Sequence, residues 1–144
     1  MANETTTSKV LTRTVHPGLA GFDVSMSLTD MEAFVERAER DIRAKYPNAV
    51  FLAYGHAGDG NLHLLVSVGS GEESVLHDID ETIYRAVHDV HGSISAEHGI
   101  GLAKLDFIKW TRSESELELM RAIKRALDPD NILNPGKVVP AAAH

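Results

Sequence analysis

Two histidines stand at the ends of a glycine-rich stretch, Gly55-His56-Ala57-Gly58-Asp59-Gly60-Asn61-Leu62-His63. Imidazole is the commonest metal ligand because its neutral nitrogen coordinates near pH 7, and glycine supplies the backbone freedom that lets a chain close tightly around an ion. If the stretch is a hairpin turn, His56 and His63 meet. The competing reading is a polar turn carrying two incidental histidines. A second constellation, Ser95-Ala96-Glu97-His98-Gly99-Ile100-Gly101, sets a carboxylate beside an imidazole where an extended segment runs into glycines. Glu97 is a candidate third ligand. Two histidines and one carboxylate, with positions left open for water and substrate, suit a divalent transition ion such as Zn, Mn or Fe acting as a Lewis acid. Taken alone, Glu97 and His98 read as a surface acid beside a capping histidine.

The elements that must position these groups follow from periodicity. Residues 23–28 alternate apolar and polar, as in a half-buried strand. Thr29 and Glu32 form a capping-box pattern, and Met31, Phe34, Val35, Ala38 and Ile42 recur at helical spacing until Pro47. Residues 49–54 are almost continuously apolar, which predicts a central strand buried on both faces. The glycine turn follows, then a strand over 62–68 and a helix over about 72–91 that ends at Gly92. Residues 93–97 are the last strand candidate. The order β-α-β-β-α-β predicts an α+β ferredoxin-like sandwich with its core over about 22–98. Ser113 and Glu116 cap a further helix bearing Leu117, Met120, Ile123 and Leu127, and a loop-like tail begins near Asn131. Residues 1–21 read as a polar, partly disordered leader, residues 22–139 as the functional domain and 140–144 as a tail.

Composition narrows the partners. With 144 residues, 43% apolar and 24% charged, the chain has the makings of one folded domain. A net charge of −7, from 21 acidic and 14 basic residues, repels nucleic acid. No apolar run approaches the roughly 20 residues of a membrane span, and residues 1–9 lack the apolar stretch expected of a secretory signal. The absence of cysteine rules out disulfides, thiolate ligands and a cysteine nucleophile, so any metal must be held by His, Asp or Glu; it also fits a cytoplasmic location.

Three ordered motifs, His56-Ala-Gly-Asp-Gly-Asn-Leu-His63, Glu97-His98-Gly-Ile-Gly and Leu127-Asp-Pro-Asp-Asn-Ile-Leu-Asn134-Pro-Gly-Lys137, resemble those of the FAD-linked oxidase carboxy-terminal domain. That domain belongs to the vanillyl-alcohol oxidase type of flavoprotein, including D-lactate, D-2-hydroxyglutarate and glycolate dehydrogenases. The resemblance covers roughly residues 22–139. It implies that His56, His63 and Glu97 hold a divalent metal, that His98 is the general base, and that Asn134 and Lys137 lie against the flavin. It further implies a small 2-hydroxy acid as substrate, an FAD-binding domain of the same or a neighbouring chain as partner, room for a homodimer, and at most a peripheral attachment to the inner membrane through an electron acceptor.

Two departures stand out. Hydroxyglutarate-type members often carry asparagine two positions after the second motif histidine, where this chain has Leu65. The glycine-rich phosphate-binding loop of a flavin domain is not found before residue 22, so FAD retention and turnover are not expected of this chain alone. Arg13 is a candidate for the family's substrate-carboxylate arginine, or else a solvated leader residue. A different class of function remains open beside the enzyme: a non-catalytic, metal-binding ferredoxin-like module that senses a ligand or mediates assembly.

Overall fold

The computed structural model describes residues 18–56 and 58–141. The chain divides into two compact units, Met1–His98 and Gly99–His144. Arg13 and most of the expected leader lie outside the described residues. Its last residues do not: β1 spans Leu19–Ser25, beginning ahead of the expected strand. Ala20, Phe22 and Val24 are buried on one face of β1, a period-two pattern that Gly18 and Gly21 obscure in the sequence.

The first unit continues with α1 (Leu28–Lys45), β2 (Val50–His56), β3 (Asn61–Ser67) and α2 (Glu73–Asp89). The three strands form an antiparallel sheet in the order β1-β3-β2. α1 packs on α2, and α2 on β1. Phe34, Ala38 and Ile42 of α1 are buried, as are Ile79, Ile83, Tyr84 and Val87 of α2 and Leu62, Leu64 and Val66 of β3. Phe22 and Tyr84 meet edge to face with centroids 5.5 Å apart. These apolar groups lie on one side of the sheet, which leaves its other face for polar chemistry.

This architecture is α+β and compatible with the ferredoxin-like arrangement, with three differences of detail. The expected fourth strand is reduced to a single antiparallel bridge between Ser25 and Ser93; beyond it the backbone turns away, because its N–H groups are bonded to a side chain instead of a strand. β2 is an edge strand, not a central one. Val50, Leu52 and Tyr54 on its outer face are exposed, so the apolar run reflects an uncovered face and not burial on both sides. Finally, α1 is preceded by Ser27, which makes no side-chain cap; its hydroxyl bonds that of Thr29 at 2.8 Å, which removes Thr29 from the expected capping box.

The second unit contains two short helices, α3 (Gly101–Lys104) and α4 (Ile108–Thr111), then α5 (Glu114–Leu127). Ser113 and Glu116 form the reciprocal capping box that their spacing predicts. Leu117 is buried, but Ile123 and Leu127 of the same apolar stripe are exposed.

The β2–β3 turn gives a direct test of the local backbone. Gly60 has φ +72°, and a Cβ there would lie 2.3 Å from the Met26 carbonyl oxygen. Gly58 is not in the left-handed region, and a Cβ there meets nothing within 4 Å. Gly60→Ala should therefore cost about 3 kcal/mol, roughly 10 °C in Tm, while Gly58→Ala stays within about 1 kcal/mol of the parent. Thermal melts monitored by circular dichroism check both; equal Tm values for the two variants would contradict this account of the turn.

Candidate functional site

His63 sits at the middle of the site because of the sheet register. On β3 it is opposite Asp23 of β1 and opposite Tyr54 of β2, while His56 pairs with Asn61 at the next step. His56 and His63 are thus diagonal neighbours on one face, a relation that brings large side chains into reach. Their rings meet edge to face with centroids 5.9 Å apart, and Tyr54 lies 5.3 Å from His63 at a tilt of 37°. The hairpin holds this register through Asp59 N–H to the His56 carbonyl at 3.3 Å, Asn61 N–H to the Asp59 carboxylate at 3.3 Å and Met26 N–H to the Gly60 carbonyl at 3.1 Å.

Residues 95–98 reach the same face by another device. Asp23 is fully buried, and one of its oxygens, Oδ2, accepts backbone N–H bonds from Ala96 at 3.2 Å, Glu97 at 3.1 Å and His98 at 2.9 Å, together with the Ser95 hydroxyl at 3.3 Å. Converging donors of this kind form a nest that suits an anion. The segment is pinned over β1, which carries Glu97 and His98 to the histidine pair. His63 and His98 stack with centroids 5.8 Å apart.

One ligand atom each from His56, His63 and Glu97 lies within 4.8 Å of the others. Around a tetrahedral ion with bonds of about 2.0–2.1 Å, ligand atoms stand roughly 3.4 Å apart, and the exposed His56 and Glu97 side chains have room to close that difference. The donor set fits a divalent ion of the zinc type. Asp23, His63 and His98 form a second cluster whose ligand atoms also lie within 4.8 Å of one another, but Asp23 Oδ2 is already engaged by the four donors above, and Oδ1 accepts the Glu97 N–H at 3.3 Å. The structure therefore brings His56, His63, Glu97 and His98 together.

Asn134 and Lys137 lie in the second unit, exposed, in a tail of tight turns. Asn131 and Asn134 take positive φ, and Lys137 N–H bonds the Asn134 carbonyl at 3.1 Å. Asp128 organises this tail: it accepts the N–H groups of Ile132 and Leu133, each at 2.9 Å, and an ion pair from Lys124.

Sequence reasoning missed Asp23, Tyr54 and Asn61. Asp23 looked like the solvent-facing residue of an alternating strand, and Tyr54 like core. Asn61 is 4% exposed and neither polar atom of its side chain has a hydrogen-bond partner among the described residues. An orphaned amide on the strand and face that carry His63 is a signal only coordinates reveal.

Residues 8–138 match the model of the family described as FAD linked oxidases, C-terminal domain, and the chain belongs to that family. Among curated relatives, it is 34% identical over 124 residues to the D-2-hydroxyglutarate dehydrogenase of Stutzerimonas stutzeri, covering 83% of this chain and 27% of that enzyme. It is 39% identical over 124 residues to the mitochondrial D-2-hydroxyglutarate dehydrogenase of Bos taurus, covering 85% of this chain and 22% of the relative. It is 47% identical over 89 residues to a probable mitochondrial D-2-hydroxyglutarate dehydrogenase of Oryza sativa subsp. indica, covering 62% and 16% respectively. The chain thus spans about a quarter or less of the length of these relatives. No helix among the described residues is long and apolar enough to cross a membrane.

The hydrogen bond from Lys124, with those from Ile132 and Leu133, holds the Asp128 carboxyl below its ordinary value. A depressed folded-state pKa means that the tail turn is stabilised above the ordinary carboxylate pKa and loses that contribution as pH falls through the lowered one. The Ile132 and Leu133 amide resonances should stay unperturbed down to the ordinary carboxylate range, about pH 4, and move only below it. An NMR titration in which they shift near pH 6 would contradict this.

Proposed function

We propose that this chain is the substrate- and metal-binding part of an FAD-dependent dehydrogenase acting on the CH–OH group of a 2-hydroxy acid. The observation that carries the reading is the convergence of His56, His63 and Glu97, from two adjacent strands and a third segment, beside His98 on one sheet face. Family membership and relatives that are D-2-hydroxyglutarate dehydrogenases support the substrate class.

In this reading His56, His63 and Glu97 hold a divalent Zn, Mn or Fe ion. A bound ion would supply Lewis-acid chemistry toward the hydroxy acid, and FAD, held by a flavin-binding domain of the same or a neighbouring chain, would supply the hydride acceptor. His98 takes the hydroxyl proton on its imidazole. Its side chain is 29% exposed, open enough to meet substrate yet anchored through its own backbone N–H. Tyr54, half exposed, packs its ring beside His63 at one flank of the site. Asn134 and Lys137 contact the flavin from the tail.

The ligand and base roles predict different failures. His56→Ala should abolish stoichiometric zinc binding to the full chain by calorimetry, whereas His98→Asn should retain it. In the flavoprotein assembled with its flavin-binding domain, His98→Asn should slow flavin reduction by roughly 10²–10⁴-fold, the usual contribution of general acid–base catalysis. Equal zinc binding by wild type and His56→Ala would overturn the ligand assignment, and full-rate flavin reduction by His98→Asn with metal bound would overturn the base.

A further inference from the structure

We propose that Asp23 is the positioning residue of this site, holding both His63 and His98 by their Nδ1 atoms so that each presents an unprotonated Nε2 outward. The proposal rests on the reading of His63 as a ligand and His98 as a base, and it assigns a role to a residue outside the ligand and base set. Nδ1 of His98 stands 3.7 Å from Asp23 Oδ2, and Nδ1 of His63 stands 4.0 Å from Oδ1. The two rings are stacked, inclined by only 23°, so one carboxylate faces the same edge of both.

A neutral imidazole carries its proton on one nitrogen, and a carboxylate facing Nδ1 favours the tautomer with the proton there. The lone pair then sits on Nε2 of each ring. For His63 it is available to an ion shared with His56 and Glu97; for His98 it is available to a substrate proton. Carboxylates behind metal-bound histidines commonly perform this service. Here a single buried acid serves a ligand and a base together, and through its bonds to the N–H groups of Ala96, Glu97 and His98 it also fixes where the third ligand stands. At 3.7 and 4.0 Å the two imidazoles are beyond ordinary hydrogen-bond length, so the hold is that of a buried charge on two ring edges and not of two tight bonds.

The test is long-range proton–nitrogen NMR of the imidazoles in the ¹⁵N-labelled full chain, metal-free, at a pH about two units above the ordinary histidine pKa of roughly 6.5. His63 and His98 should both be protonated at Nδ1. Asp23→Asn, which presents an amide N–H as well as a carbonyl to those ring edges, should move both toward Nε2 protonation and weaken zinc binding by roughly 10–100-fold. Wild-type rings protonated at Nε2 would overturn the proposal, as would tautomers unchanged in a folded Asp23→Asn chain. If that variant does not fold, the wild-type tautomers decide alone. Nδ1 protonation of both rings without zinc binding by the wild type would uphold the hold of Asp23 and sink the metal reading instead.

Discussion

A carboxylate withdrawn from water is tolerated only where donors replace its solvation; hydrogen bonds to a charged group contribute about 1.5–3 kcal/mol each, and a charge left unpaired costs several. Asp23 meets that condition with three backbone N–H groups and a hydroxyl drawn from residues 95–98. The constraint works in both directions. The charge needs those donors, and those donors, once committed to a side chain, are withdrawn from any strand pairing. Among the described residues the sheet therefore has three strands, and the segment that would have been a fourth becomes a loop carrying Glu97 and His98 over the open face.

The remainder of the site is register. β-hairpin pairing places His63 opposite Tyr54 and diagonal to His56, and β1 pairing places it opposite Asp23. A slip of one residue in either ladder would send His63 into the apolar layer with Leu62 and Leu64 and bring an apolar group out. Burial of Phe22, Val24, Leu64 and Val66 against the two helices resists that slip, so core packing and site geometry are enforced by the same alternation. A site made this way sits on strands at its centre and on one anchored loop at its rim, which suits the rigid metal ligands and the proton acceptor proposed for it.

What the sequence conveyed well was local. His56 and His63 at the ends of a glycine turn predict their own meeting, because hairpin geometry is set within a few residues; the capping box at Ser113 and Glu116 is legible for the same reason. Glu97 and His98 were recognisable by type, but the expected route to the site, a fourth strand, was not the one taken. The true tether, Asp23, lies more than seventy positions away, and its polarity in an alternating strand is indistinguishable from ordinary solvent exposure. Tyr54 and its neighbours misled in the opposite way: Val50, Leu52 and Tyr54 are as apolar as a buried strand, yet they form the exposed side of an edge.

The central claim is that the open sheet face holds an ion between His56, His63 and Glu97, with Asp23 behind the ring and not in the coordination sphere. Anomalous diffraction at the zinc edge from zinc-loaded crystals of the full chain tests it most directly. The account predicts one peak about 2.0–2.2 Å from a nitrogen of His56, Nε2 of His63 and a carboxylate oxygen of Glu97, with the Asp23 oxygens well outside bonding distance. A peak ligated by Asp23 and the Nδ1 atoms of His63 and His98, or no peak on this face, would contradict it.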